Sequence, residues 1–385
     1  MVKYIVLIIP CIAFAQSQLT TGVIETTNGE KIENADVYFK VNSLGTTSND
    51  SGLFALNFNT VAKSDTLFVS HMGYKEYKCE VGDFLKNKKK HILLIEHTFE
   101  LDEIILSNVK LSEILTEAIE NYENNHFTKN TTYIGSIKEV LEENDTITKL
   151  AYSAIYLKIP KRKSKKVSIT PTKNQSKKEH NSRVNNFSLF NIGELGAYLK
   201  MESELSYFLK NIKKVDAVYL EEKKYGSYTV YEIVLVKKLT ETKKQTISLI
   251  IEKESKGILS MKLVADRGLA PEGWAIVFED ENKKIEQKPT FSTADFIFRP
   301  YQGRWVLREI NTTLNYTYVI ESGNQKQSLE NYNSVKILLD GIHEGKTDKK
   351  IKPFDLTRNF FNQIESNPFT NKHLLNSREL QFITE

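Results

Sequence analysis

Between Leu19 and Ser107 the sequence alternates apolar and polar residues in short runs, and a turn signal closes each run. TTGVIET leads to Asn28-Gly29, and ADVYFKV leads to Leu44-Gly45. SNDSG precedes LFALNF, and DTLFVSH stops at Gly73 before YKEYKCEV. A Lys-rich turn at Lys86–Lys90, then HILLIEH and LDEIILS, complete the set. Alternation of period two puts every second side chain on one face of a strand. Asn-Gly supplies the positive φ of a tight hairpin. So many short strands in so short a span can bury their apolar faces only against one another, which predicts a β-sandwich.

The same residues carry a resemblance. GVIE with GEKIENADV, TTSNDSGLFAL, DTLFVSHMGY and LDEIIL, in that order, resemble the carboxypeptidase regulatory-like domain. The resemblance covers about residues 19–108 and implies a transthyretin-like sandwich frequent in secreted and outer-membrane proteins of Bacteroidota. It implies that Gly73 bends the chain towards the next strand, that Tyr74 packs at the corner, and that Asp50 and Gly52 form the turn before an inward-facing Phe54. It also implies a non-catalytic module, structural or recognising, attached to something else.

MVKYIVLIIPCIAFAQ has the layout of a secretory signal: Lys3, an apolar run from Tyr4 to Phe14, and the cleavage pattern Ala13-Phe14-Ala15. The run is about half the ~20 residues that a spanning helix needs. Residues 1–15 are expected to be removed, and Pro10 before Cys11 disfavours a lipoprotein signal. No second long apolar run follows, so the chain is not expected to be an integral helical membrane protein. It is expected to be exported, and to be periplasmic, associated with the outer membrane or at the cell surface. Removal of Cys11 leaves Cys79 alone, so no disulfide framework is expected. Cys79 sits in an alternating strand and reads as a core thiol.

Beyond the sandwich, at residues 109–385, LSEILTEAIENYENN switches to helical period. Leu111, Ile114, Leu115, Ala118, Ile119 and Tyr122 fall on one helix face. Long strands follow at about Thr131–Leu141 and Thr146–Ile159, turned at Asn144-Asp145, and a largely helical stretch is expected over Leu189–Ile212. Strands then resume, with turns at Lys256-Gly257 and Gln302-Gly303, through to Leu339. The fold class is mainly β: a sandwich followed by an antiparallel α+β sheet region. A sheet of that length should curl, and curling round a helix would give a half-barrel with a concave apolar face.

Catalytic chemistry finds little footing. His97-Thr98-Phe99-Glu100 spells H-x-x-E, but it lacks a third ligand. No nucleophile elbow, phosphate loop or dinucleotide fingerprint occurs. No catalytic, cofactor-binding or metal residue and no cofactor is expected. A hydrolase or metallopeptidase would need His97 and Glu100 to converge with another ligand.

Two features remain for binding. Lys158–Arg183 carries ten Lys or Arg against one acid, Glu179, while the whole chain has a net charge of +4, so everything outside it is net acidic. It reads as a solvated basic loop over 158–183. Lys161, Arg162, Lys163, Lys165 and Lys166 are its candidate contacts to an anionic lipid, polysaccharide or acidic partner. Nucleic acid is not expected, because no aromatic residue interleaves the run. The aromatics Phe296, Phe298, Trp305, Tyr316 and Tyr318 read as sheet core or as the lining of an apolar ligand groove. Trp274 reads as a packing anchor. Two function classes follow: an envelope module that binds protein or glycan, and a periplasmic carrier that holds a lipid or other apolar ligand in the concave half-barrel.

Overall fold

The structure, a computed structural model, describes residues 19–41, 43–71, 74–96, 108–127, 130–160, 167–180, 205–206, 210, 215, 217–238, 240, 243–266, 275–343, 351–355, 360–370 and 375–384. Its sandwich is built from β1 (Leu19–Thr26), β2 (Asp36–Tyr38), β3 (Gly45–Thr47), β4 (Leu53–Asn57), β5 (Thr66–Ser70), β6 (Tyr77–Glu80), helix α1 (Val81–Lys86) and β7 (His91–Leu94). One sheet has the order β4-β1-β7 and the other β3-β2-β5-β6. The predicted alternation is realised in β4 and β7, whose buried residues are Phe54, Leu56, Ile92 and Leu94. These join Ile24, Val37, Leu67, Val69 and Phe84 in one core. Gly29 and Gly52 hold positive φ of 85° and 69° at the predicted turns. The strand expected to run through Val81 stops at Glu80, and α1 follows. Cys79 is half-buried rather than a core thiol, and burial pushes its thiol upward. Gly73 and the segment His97–Glu100 lie outside the described residues.

After the sandwich come α2 (Asn108–Glu120), α3 (Tyr122–Asn125), β8 (Thr131–Glu143), β9 (Thr146–Ile159), β10 (Ser168–Glu179), β11 (Ala217–Tyr225), β12 (Tyr228–Lys238), β13 (Lys244–Glu252), β14 (Ile258–Asp266), β15 (Ala275–Glu279), β16 (Lys283–Tyr301), β17 (Arg304–Ser322), β18 (Gln325–Ile342) and α4 (Ser377–Thr384). The strands form one 11-stranded sheet of order β10-β9-β8-β18-β17-β16-β14-β13-β12-β11, with β15 paired to β16. Every pairing in it is antiparallel. It is not a simple meander, because the last strand, β18, inserts beside the first, β8. Two hairpins close on pairs of residues that both take positive φ, Asn144-Asp145 (46° and 62°) and Gln302-Gly303 (48° and 71°). That is the geometry whose twist matches paired strands.

Helix α2 lies on one face of this sheet, here the inner face. Leu111, Ile114, Leu115 and Ala118 are buried, with Tyr122 from α3, in one cluster that also holds residues of β8, β9, β12, β13, β14, β16, β17 and β18. Full burial of an aliphatic side chain of this size is worth about 1.5–3 kcal/mol. The helices are pinned as well as packed. Arg304 donates to the carbonyls of Asn124 (2.9 Å), Glu123 (3.0 Å) and His126, satisfying carbonyls that a helix end leaves open. The His126 ring lies between two carbonyl oxygens, Tyr122 O at 3.0 Å and Ile258 O at 2.8 Å. Burial drives its pKa down to about 4.

The basic segment differs from expectation. Ser168–Glu179 is not a solvated loop but strand β10, paired to β9 from Ser168↔Lys158 to Glu179↔Lys149. The reason is tertiary, because the C-terminal stretch runs across it. Phe354 N–H donates to Ile169 O (2.8 Å), Ser176 Oγ to Pro368 O (2.9 Å), and Lys178 Nζ to Phe382 O (2.8 Å). Lys177 Nζ donates to Phe361 O (3.3 Å), and its ammonium stands 5.1 Å over the Phe361 ring. The tail thus gives the strand's lysines carbonyl and aromatic partners, and it shields a strand that ends the sheet. Residues 161–166, and most of the helix expected over Leu189–Ile212, lie outside the described residues.

Candidate functional site

The sandwich docks on the opposite, outer face of the large sheet, and the seam begins with an irregularity in strand pairing. Ile297 pairs with Glu309, but the next residue, Phe298, pairs with Leu307. Arg308 is therefore the extra residue of a β-bulge, and a bulge re-aims a side chain out of the regular pleat. It points into the sandwich, where Nη1 lies 2.9 Å from Asp36 Oδ1 on β2. Both residues are 1% exposed. Burial raises the Asp36 carboxyl, with Arg308 and Arg299 opposing it. Burial works against the Arg308 charge too, and Asp36 and Glu309 more than restore it.

Neighbouring groups extend this contact into a network. Burial raises the Glu309 carboxyl, but Lys336 (3.1 Å) and Arg308 (3.6 Å) overcome that and hold it at about 2. Glu309 also accepts from Asn311 Nδ2 (2.6 Å) and from Thr47 Oγ1 of the sandwich (3.2 Å). Arg299 enters the seam from β16 and donates to Ser43 O and to Asp340 O (2.8 Å). Its fit depends on Gly45, where a Cβ would run into the Arg299 guanidinium and sit 2.7 Å from Val37 O. Ile342 N–H donates to Ser43 Oγ (3.0 Å) beside it.

Next to this network the seam opens into a cleft of about 320 Å³. Its floor is the outer face of β8, β17 and β18, with Lys138, Asn311, Thr313, Tyr332, Ser334 and Lys336. One wall is the sandwich turn Thr46–Asp50, and the other is the start of α4. Asn376 and Glu379 form a capping box there: Glu379 N–H donates to Asn376 Oδ1 (2.9 Å) and Asn376 N–H to Glu379 Oε2 (3.0 Å). Glu379 also pairs with Lys138 at 2.7 Å, and α4 is held on the sheet by Phe382 and Leu375 packed with Val140 and Leu150. The lysines on the floor are thus each matched by a carboxylate.

The aromatic candidates do not form one surface. Phe296 (0% exposed), Phe298 and Trp305 belong to the inner-face cluster that contains α2. Tyr318 and the partly buried Tyr316 belong to a separate cluster with Ile285 and Leu329. Of the anionic-contact candidates, Lys161, Arg162, Lys163, Lys165 and Lys166 all lie outside the described residues, as does Trp274. Sequence reasoning did not single out Arg308, Arg299, Asp36 or Tyr332. A charged pair, Arg308-Glu309, within the apolar stretch WVLREI was the available signal. Among the described residues no group of three His, Cys, Asp or Glu is placed to hold a metal ion, and no helix is long and apolar enough to cross a membrane.

Comparison with known proteins bears on the sandwich. No curated protein matches the chain. Among solved structures, MucB in the crystal structure of MucB in complex with MucA(peri) is similar at 8% identity, covering 60% of this chain and 94% of that one, with a TM-score of 0.18. A score that low carries no inference about fold. Residues 20–106 match the family profile of the CarboxypepD_reg-like domain, a non-catalytic module, and that span holds all the sandwich strands except Leu19, the first residue of β1.

Proposed function

We propose that this chain is an exported, non-catalytic component of the cell envelope that recognises its target through the outer-face cleft. The observation that supports this most is the buried Arg308–Asp36 pair at 2.9 Å, reinforced by Arg299. It fixes the sandwich on the sheet, so that the sandwich wall and the sheet floor of the cleft are held in one arrangement. A cleft with such fixed walls needs little reordering when it binds. The carrier alternative draws less support, because Phe296 and Phe298 pack in a cluster whose other members include the side chains of α2.

The test uses the mature full-length chain and envelope fragments isolated from its own cells. Sedimentation with the fragments is expected for the wild type. Loss of sedimentation is expected for Ser334→Arg, which fills the cleft from its floor while leaving the seam charges intact. Equal sedimentation of both proteins, or none by either, would overturn recognition through the cleft.

A further inference from the structure

We propose that the cleft takes a neutral saccharide; this rests on its being the recognition site. The first argument is electrostatic. The floor ammoniums are already matched, Lys138 by Glu379 at 2.7 Å and Lys336 by Glu309 at 3.1 Å. The rim adds the exposed carboxylates Glu33 and Asp50. An anionic ligand would meet that acidic rim and would have to break an existing pair to gain a cation. A cationic ligand would compete with ammoniums that are part of the fold. A neutral hydrogen-bonding ligand meets neither obstacle.

The second argument is the set of polar atoms that the fold leaves pointing and unspent. Asn49 Oδ1 accepts the backbone N–H groups of Ser51 (3.0 Å) and Leu53 (2.9 Å), which fixes the amide and leaves Nδ2 as an oriented donor. Asn311 is fixed in the opposite sense, since Nδ2 donates to Glu309 Oε1 at 2.6 Å and Oδ1 remains an acceptor. The Ser334 hydroxyl, which both donates and accepts, lines the same cleft. A fixed donor, a fixed acceptor and a hydroxyl in one small space match the vicinal hydroxyls of a sugar.

The third argument is the platform. Tyr332 is 37% exposed on the floor, two residues from Ser334 and therefore on the same face of β18. Its strand partner is Asn315, while Ser334 pairs with Thr313 and Lys336 with Asn311. An aromatic ring beside a row of amides and hydroxyls lets a pyranose lay its C–H face on the ring and turn its hydroxyls to the row. The cleft, at about 320 Å³, is at the small end of ligand sites, which suits a short oligosaccharide better than a folded partner.

The experiment is calorimetric titration of the full chain with three neutral trisaccharides (chitotriose, mannotriose and maltotriose) and one acidic one, trigalacturonate. Saturable binding of at least one neutral sugar is expected, with at least about a tenfold loss of affinity in Tyr332→Ala, equivalent to about 1.4 kcal/mol. Thermal unfolding of Tyr332→Ala should remain cooperative, since the residue is 37% exposed and belongs to none of the buried core clusters. Three results would overturn the inference: no saturation by any neutral trisaccharide, preference for the acidic one, or equal binding by Tyr332→Ala. If the wild type sediments with envelope fragments and Ser334→Arg does not, yet no neutral sugar binds, recognition through the cleft stands and its saccharide character falls. If neither assay responds, the cleft itself is refuted as the site.

Discussion

Replacing Arg308 with Met should destabilise the protein by about 3–5 kcal/mol at neutral pH, the usual loss when one partner of a buried ion pair is removed. The size follows from what is left behind. Asp36 and Glu309 are 1% and 0% exposed, and both face the guanidinium, at 2.9 and 3.6 Å. Without Arg308, two buried carboxylates confront each other and retain Lys336 and Arg299 as their remaining cations. The reverse change, Asp36→Asn, is milder, at about 1–3 kcal/mol, because Arg308 keeps Glu309. The double variant should be more stable than the sum of the singles predicts, by about 2 kcal/mol, because asparagine removes the charge that Arg308→Met strands. The deficit of Arg308→Met should also shrink on acidification: the folded-state pKa values of the two carboxyls rise when the cation goes, so they protonate before the unfolded chain does. Urea unfolding of the four proteins at pH 7 and pH 5, followed by tryptophan fluorescence, measures all of this. Additivity of the single substitutions within about 0.5 kcal/mol would refute the seam as a coupled network.

Other consequences are as direct. Gly45→Ala should lose about 1–3 kcal/mol, the range for overpacking, because its Cβ meets Arg299 and the Val37 carbonyl; calorimetric melting would show it, and an unchanged Tm would contradict the close approach. His126, at about 4 in the folded state against about 6.5 unfolded, favours unfolding as pH falls. The unfolded chain takes up its proton first, so stability should decline between pH 6.5 and 4 by about 3 kcal/mol. His126→Gln should flatten that part of the pH profile, and an unaltered profile would count against a neutral buried ring. Phe296→Ala should lose about 3–5 kcal/mol, as large aromatic truncations in cores do, whereas a site on an open groove would lose far less. Deleting residues 351–385 should expose the β10 edge and its lysines, seen as faster amide exchange across Ser168–Glu179; unchanged exchange would show that the tail does not shield it.

What was legible in the sequence is what local periodicity and turn chemistry encode. The sandwich strands from Leu19 to Glu80 and at His91–Leu94, the apolar face of α2, and the hairpins at Asn144-Asp145 and Gln302-Gly303 all rest on spacings of a few residues, and the structure realises them, while LDEIILS lies outside the described residues. Period-two spacing puts Phe296 on one face with Phe298, and Tyr316 on one face with Tyr318, but it does not carry the fact that the two pairs belong to different clusters. Strand alternation is identical whether an inward face meets a helix, another layer or a ligand.

The tertiary structure alone decided the basic strand and the seam. A run of lysines has no hydrophobic period, so Ser168–Glu179 reads as solvated until the tail supplies carbonyl partners for Lys177 and Lys178. Arg308 in a strand reads as facing water, because only the slipped pairing against Ile297 and Phe298 turns it into the sandwich. Asp36 lies on β2 of the sandwich and Arg308 on β17 of the large sheet, and no pattern along either strand announces the other. Apart from β10 and α1, the sequence by itself determined which of the described segments become strands and helices, since those depend on neighbours along the chain. Where the sandwich sits, and the cleft that its position opens, depend on pairings between distant residues, and these exist only once the chain has folded.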